Sequence, residues 1–64
     1  MMTKLEAARR TRGWTQSKLG WKARMTQSDI SAIERGRKPY PAHAERLAKV
    51  LEMPVSELTQ EATS

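Results

Sequence analysis

Apolar residues recur along this chain at helical spacing, in short runs separated by polar breaks. The longest run places four apolar residues at i, i+3, i+4 and i+7, which is one face of a helix: Ala44, Leu47, Ala48 and Leu51. Three shorter runs each set two apolar residues three or four positions apart: Leu5 with Ala8, Leu19 with Ala23, and Ile30 with Ile33. No stretch alternates with the two-residue period of a strand, so the pattern predicts an all-α chain.

Threonines mark the expected helix starts. Thr15 and Thr26 each follow a large apolar residue and precede another by four positions, the pattern of an N-cap with a hydrophobic staple. Asp29 completes a capping box with Thr26, and Thr3 with Glu6 predicts another. Glycine follows two of the helices, as it often does at a helix C-terminus. The predicted helices cover residues 3–12, 15–23 and 26–35.

Prolines organise the C-terminal part. Pro41 suits the first turn of a fourth helix, because its missing amide hydrogen would have no partner there. Pro54 restarts the chain, and Val55 with Leu58 predicts a short fifth helix that covers the core. We therefore expect one helical domain over residues 1–58 and a frayed polar tail over residues 59–64.

Basic charge is concentrated in the first part of this 64-residue chain, whose net charge is +5. Ten Lys and Arg residues stand against three acidic residues up to Lys38, whereas two stand against four from Pro39 onward. Such a distribution fits a surface that faces a polyanion, and it equally fits a solvated, solubilising face. Charge alone does not decide between these interpretations.

The composition argues against catalysis and metal binding. The chain has no cysteine, and His43 is its single histidine, placed on the predicted exposed side of the fourth helix. Carboxylates are not clustered, so no set of residues suits acid–base, nucleophilic or metal chemistry, and we expect neither an enzyme nor a cofactor. No apolar run is long enough for a signal peptide or a membrane span, and we expect a cytoplasmic protein without a membrane partner.

The stretch from Leu5 to Leu58 resembles the phage repressor and Cro-like (XRE-type) family of helix-turn-helix DNA-binding domains. The resemblance lies in a threonine–glutamine pair at a set distance from the ISAIERG motif, together with apolar positions downstream. The residues that carry it are Arg9, Gly13, Thr15, Gln16, Leu19, Met25, Gln27, Ser28, Ile30, Ser31, Ile33, Glu34, Arg35, Gly36, Pro39, Leu47, Ala48, Leu51 and Leu58. It implies a compact five-helix, lambda-repressor-like fold in a regulator that is encoded by a bacterium or a phage and acts at the nucleoid.

The resemblance also assigns roles to individual residues. The helix over residues 26–35 would lie in the major groove, with Gln27, Ser28, Ser31 and Ala32 near base edges. A glutamine amide can pair bidentately with adenine, a serine can make one hydrogen bond, and an alanine can touch a thymine methyl. Contacts to the DNA backbone would come from Gln16, which could also buttress Gln27, and from Thr26, Arg35, Arg37 and Lys38. Arg9 and Glu34 would form a structural ion pair that aims this helix; alternatively, Glu34 is an exposed acid.

The chain departs from the family pattern at four positions. Arg24 stands where glycine is usual in the turn, so it must adopt a left-handed conformation or mark a reshaped turn. Gly20 replaces the usual alanine, costs about 1 kcal/mol of helix propensity, and predicts the close approach of another helix backbone. Asp29 is either a cap or a contact to a cytosine amino group. Glu52 replaces the usual glycine after the fourth helix.

Three aromatic residues have two interpretations each. Trp14 is expected to pack in the core rather than touch a ligand. Trp21 has no apolar neighbour in its own helix, so it either anchors a partner or lies across that helix with a wet edge. Tyr40, between two prolines, either bounds the DNA-facing edge or covers the core.

Two functions follow from these observations. The first is a sequence-specific double-stranded DNA-binding transcriptional regulator, in the form of a repressor that binds an operator as a homodimer at least on DNA. The second is an antitoxin-like or anti-regulator module that neutralises a protein partner through the Trp21 surface or the C-terminal half, and for which DNA binding is secondary. The short tail offers no long dimerisation or wrapping segment, which favours the first.

Overall fold

The computed structural model describes residues 2–62, and these residues form helices without a strand. Its elements are α1 (Lys4–Thr11), α2 (Gln16–Ala23), α3 (Gln27–Glu34), α4 (Pro41–Leu51) and a 3-10 helix (Val55–Glu57). The all-α prediction and the start of α4 at Pro41 are confirmed. The predicted count of five α-helices is wrong: after Pro54 the chain makes one three-residue 3-10 turn, and the Leu58 carbonyl then accepts a hydrogen bond from the Leu5 amide at 3.1 Å.

Three threonines begin the first three helices, as predicted. Thr3, Thr15 and Thr26 have extended backbone conformations, and the hydroxyl oxygen of each accepts the amide hydrogen of the third residue after it, at 3.0–3.1 Å. The capping box is complete only at Thr26. The box predicted at Thr3 is half formed, because the Glu6 carboxylate pairs with Arg10 at 2.7 Å.

The core lies where the inner faces of the helices meet. Its six largest fully buried side chains are Leu5, Leu19, Ile30, Ile33, Leu47 and Leu58. Trp14 and Met25, the two residues that precede the capping threonines Thr15 and Thr26, are partly buried against this cluster. Val55 is 48% exposed, so Leu58 alone covers the core at this end, contrary to the prediction for the pair.

The turn between α2 and α3 has a left-handed residue at its centre. Arg24 has φ 56° and ψ 51°, and its amide hydrogen bonds to the carbonyl oxygens of Gly20 and Trp21. A Cβ atom on Gly20 would lie 2.7 Å from the Met25 carbonyl oxygen. The close approach predicted at Gly20 is therefore real, but it is made by the backbone of the following turn and not by another helix. This turn fixes how α3 leaves α2.

The polar tail up to Ala62 is held against the N-terminus. Thr3 and Glu61 form an isolated antiparallel bridge, the Lys4 amide donates to the Gln60 carbonyl at 2.7 Å, and the Ala62 amide donates to the Met2 carbonyl at 2.8 Å. The prediction of a frayed tail is thus wrong for residues 59–62, while residues 63–64 lie outside the described part. Backbone groups, which leave no signal in the sequence, make most of these bonds; a single side-chain bond between the two segments, from Lys4 Nζ to Gln60 Oε1 at 3.1 Å, accompanies them.

Candidate nucleic-acid interface

Helix α3 presents one polar face to solvent and buries the other. Ile30 and Ile33 are fully buried. On the opposite side, the four residues predicted to contact bases lie within about 140° of one another around the helix axis. Gln27 and Ser28 are exposed, and Ser31 and Ala32 are half-buried. The structure therefore brings these four residues onto a single surface at the outer side of α3.

The Gln27 side chain is hydrogen bonded to α2. Its Nε2 donates to Gln16 Oε1 at 2.8 Å, and Gln16 Nε2 in turn donates to Glu34 Oε1 at 2.9 Å. Gln16 is the first residue of α2 and Glu34 is the last residue of α3, so this chain of bonds links the start of α2 to both ends of α3. The structure thus places Gln16 in the buttressing position that the sequence suggested.

Arg9 and Glu34 form a buried ion pair. Arg9 Nε lies 2.6 Å from Glu34 Oε2 and Arg9 Nη2 lies 3.1 Å from Glu34 Oε1, while Nη1 donates to the Trp14 carbonyl at 2.8 Å. The two side chains are only 10% and 4% exposed. The hydrogen bonds that Arg9 donates to Glu34 raise the pKa of Arg9 above its usual value, against the opposing effect of burial. Glu34 is therefore not an exposed acid.

Asp29 acts as a cap. Its Oδ2 accepts the Thr26 amide at 3.3 Å, and its Oδ1 lies 3.5 Å from Arg37 Nη2. Hydrogen bonding from the Thr26 side chain, and then from the Thr26 amide, lowers the pKa of Asp29. Because that amide is already used, the Thr26 hydroxyl hydrogen is the donor left for a DNA phosphate, and it must turn away from Asp29 to make such a contact.

The remaining basic residues flank this surface. Arg35 Nη1 donates to Ser31 Oγ at 2.9 Å, which leaves the Ser31 hydroxyl hydrogen free to donate outward. The Arg37 guanidinium lies 5.8 Å from the centre of the Tyr40 ring. Lys38 is exposed and makes no hydrogen bond or ion pair among residues 2–62. Arg35 thus lies at the C-terminal end of α3, whereas the Arg37 guanidinium reaches Asp29 in the first turn of the same helix.

Two arginines have roles that the sequence analysis missed. Arg46 on α4 donates from Nε to the Ala23 carbonyl at 2.8 Å, and Arg12 donates from Nη2 to the Leu51 carbonyl at 2.7 Å. Each therefore binds the C-terminal end of a helix other than its own, where carbonyl groups lack partners. Arg9 and Arg12, both within the first 38 residues, are thus used internally, so the basic count of that part overstates the charge offered to a ligand.

The three aromatic residues differ in exposure and in their neighbours. Trp21 is 79% exposed, whereas the Trp14 ring is partly buried, with Lys22 Nζ 4.8 Å from its centre. Tyr40 is 66% exposed and meets His43 edge to face at 5.7 Å, so it does not cover the core. His43 is half-buried, contrary to the predicted exposed position, and its Nδ1 has no hydrogen-bond partner among residues 2–62.

Other kinds of site find little support in the described residues. Residues 2–62 contain no group of three His, Asp or Glu side chains that could hold a metal ion. Over the same range, every helix falls short of the length and apolar character that a membrane crossing requires.

Comparison with known proteins gives one match. A family model described as a helix-turn-helix domain matches residues 3–60, which is most of the chain. This family is associated with XRE-type DNA-binding regulators. The match extends past residue 58, in keeping with the pairing of Gln60 to the N-terminus. A search of the curated proteins and a search of the solved structures each found no match.

Proposed function

The chain belongs to the helix-turn-helix domain family, and from that premise we propose that it is a sequence-specific DNA-binding transcriptional repressor of bacterial or phage origin. The observation that carries this proposal is the Gln27 side chain, which is exposed on α3 and held by Gln16. A base-contacting side chain whose conformation is already fixed in the free protein loses little conformational entropy when the protein binds DNA.

Gln27 has the atoms needed to read adenine. One Nε2 hydrogen is bonded to Gln16, which leaves the second Nε2 hydrogen and Oε1 free. Adenine presents an acceptor at N7 and a donor at N6 in the major groove, and the free pair of Gln27 is complementary to both. Ser28 and Ser31 would add single hydrogen bonds, and Ala32 an apolar contact to a thymine methyl.

Contacts to phosphates would set the register of α3 in the groove. Five residues around this surface are proposed for that role: Gln16, Thr26, Arg35, Arg37 and Lys38. The second Nε2 hydrogen of Gln16 remains free for a phosphate, and the Lys38 ammonium faces solvent. Such contacts are insensitive to sequence and weaken as salt rises.

A homodimer on DNA would supply the specificity that one small module lacks. A single module of this size buries about 600–1,000 Å² on DNA. Two copies on a palindrome double the number of base contacts, and their half-sites are expected about one helical turn, roughly 10 base pairs, apart.

The first test is selection from a randomised duplex pool, followed by affinity for the winning and a scrambled duplex at two salt concentrations. We expect a palindromic motif with half-sites one turn apart. In a second step, Gln27→Ala should lower discrimination at one base pair of each half-site by about 1–3 kcal/mol. The matched variant Arg35→Ala should weaken binding to all duplexes alike and flatten the salt dependence. Weak, salt-labile binding without a motif would refute the proposal.

The exposure of Trp21 favours a second candidate function, a protein-interaction module. Trp21 lies five residues after Gln16, about 140° around α2, so it faces away from the contact between Gln16 and α3. A depression of about 440 Å³ beside it is lined by Trp14, Trp21, Lys22, Arg24 and Val50. Trp21→Ala separates the two functions: it should leave DNA affinity unchanged in a repressor and abolish partner binding in an interaction module.

A further inference from the structure

We propose that Glu34 is a specificity-determining positioning residue, which fixes the orientation of the Gln27 amide through Gln16 without touching DNA. This inference rests on the proposed reading of DNA by Gln27. The test below distinguishes a wrong assignment of what orients the Gln27 amide from a failure of Gln27 to read DNA.

The direction of the hydrogen-bond chain follows from the charge of Glu34. A carboxylate has only acceptors, so Gln16 must turn its Nε2 toward Glu34 and its Oε1 away from it. The outward Oε1 can only accept, and Gln27 must therefore present Nε2 to it. One negative charge thus sets the orientation of two successive neutral amides.

Glu34 itself cannot turn. Its two oxygens are bonded by Arg9 Nε and Nη2, and the third Arg9 nitrogen is bonded to the Trp14 carbonyl. With its side chain 4% exposed, Glu34 exchanges these partners for water only at high cost. The carboxylate is a fixed reference point between α1 and α3, and the orientation of Gln27 is set relative to it.

Orientation matters because the two ends of an amide differ. Adenine offers N7, an acceptor, and N6, a donor, in a fixed order along the groove. The observed amide can match that order, whereas an amide turned by 180° would oppose acceptor to acceptor and donor to donor. Glu34 therefore favours one base through a residue that it does not contact directly.

The decisive variant is Glu34→Gln, which replaces the carboxylate by an amide of nearly the same shape. Arg9 Nε would keep the oxygen, the bond from Arg9 Nη2 would be lost, and the nitrogen would face Gln16, so that Gln16 and then Gln27 would turn over. We expect the preference for adenine at the Gln27 base pair to fall about tenfold, with preferences at other positions and the salt dependence unchanged. In a Gln27→Ala background the same substitution should have no effect at that base pair.

Because Glu34→Gln weakens a buried ion pair, a second variant leaves that pair intact. Gln16→Met removes both links and should also reduce the adenine preference, although Arg9 and Glu34 remain bonded. Both variants are measured below their unfolding temperatures, and the side-chain amide resonances of Gln27 are recorded without DNA. Shifted Gln27 resonances in Glu34→Gln are expected.

Three results would overturn the inference. These are an unchanged adenine preference in either variant, a loss of preference spread over all base pairs, which would indicate a tilted helix, and unshifted Gln27 resonances in Glu34→Gln. Failure of DNA reading by Gln27 looks different: the wild type and Gln27→Ala would share the same base preferences, while the DNA-free resonances would still report the orientation.

Discussion

Helices α2 and α4 end in the same way but lead to different structures. Each is followed by a left-handed residue that is not glycine, Arg24 with φ 56° and Glu52 with φ 54°. Each also has its final carbonyl bound by an arginine from elsewhere in the chain, Arg46 of α4 for α2 and Arg12, just after α1, for α4. The left-handed conformation costs such residues about 1–2 kcal/mol, and the arginine contacts offset that cost.

The two turns differ four residues before the left-handed position. Gly20 occupies that place in α2, and the Met25 amide approaches its carbonyl to 2.7 Å; in α4 the place is taken by Ala48, and the Met53 amide lies at 3.1 Å. The chain after α2 then enters the capping box of α3, whereas the 3-10 helix after α4 has no side-chain cap. The same helix ending thus fixes the direction of the next helix only after α2, where Gly20 lacks a Cβ and α3 begins with a capping box.

The largest expected loss of stability comes from replacing either of the arginines that bind the terminal carbonyls of α2 and α4. Arg46→Met and Arg12→Met should each lower the free energy of unfolding by about 1.5–3 kcal/mol, because a charge-assisted bond to a terminal carbonyl is lost. Only Arg46→Met should also reduce DNA affinity, since only α2 leads into α3. Denaturant unfolding and duplex titration measure both, with Lys49→Met on exposed α4 surface as the control. Equal loss of DNA affinity in both variants would contradict the distinction.

A smaller loss of stability is expected from exchanging glycine and alanine at the two positions that lie four residues before the left-handed residues. Gly20→Ala gains about 1 kcal/mol of helix propensity but places a Cβ 2.7 Å from a carbonyl oxygen. Overpacking of this kind costs typically 1–3 kcal/mol, so we expect a net loss of stability of about 1 kcal/mol and weaker DNA binding. Ala48→Gly should lose a similar amount of stability without affecting DNA. A higher melting temperature for Gly20→Ala would show that the turn relaxes freely.

Glycine at the left-handed positions should stabilise both turns. Arg24→Gly and Glu52→Gly remove the strain at φ near +55°. The greater freedom of glycine in the unfolded chain cancels part of the gain. The expected increase is roughly 0.5–1 kcal/mol for each, measured by denaturant unfolding. Because the two sites share no interacting residue, the stability gain of the double variant should equal the sum of the two single gains. Destabilisation by either substitution would mean that the side chain removed contributes more than the backbone strain.

The smallest effect is a pH dependence of stability that comes from Asp29 in the first turn of α3. The pKa of Asp29 is lowered in the folded protein by its bonds to Thr26, so its stabilising contribution is complete at neutral pH. That contribution begins to fall as the pH drops below the ordinary carboxyl pKa and is lost as the pH passes the lowered value. The stability difference between wild type and Asp29→Asn should shrink over that range. A difference independent of pH would contradict the cap.

Local chemistry was predictable from the sequence, and long-range backbone contacts were not. The threonine caps and Pro41 depend on neighbours within one helical turn, so their positions were predicted correctly. The 3-10 helix depends instead on the Leu58 carbonyl bonding to Leu5, more than fifty residues away in sequence. The sequence analysis likewise missed the bonds from Arg12 and Arg46, since nothing in a sequence shows which arginine meets a distant carbonyl. The base and phosphate contacts stay predictions.

The pairing of residues 60–62 with residues 2–4 also determines how the connectivity of this fold can be changed. The Ala62 amide and the Met2 carbonyl are 2.8 Å apart, so the two ends of the described chain lie side by side. A linker of a few residues would join them with a small loop-closure penalty. The chain could then be opened elsewhere, for instance in the exposed connection between α3 and α4. Circular permutants made in this way would keep every helix contact while changing only the order of synthesis.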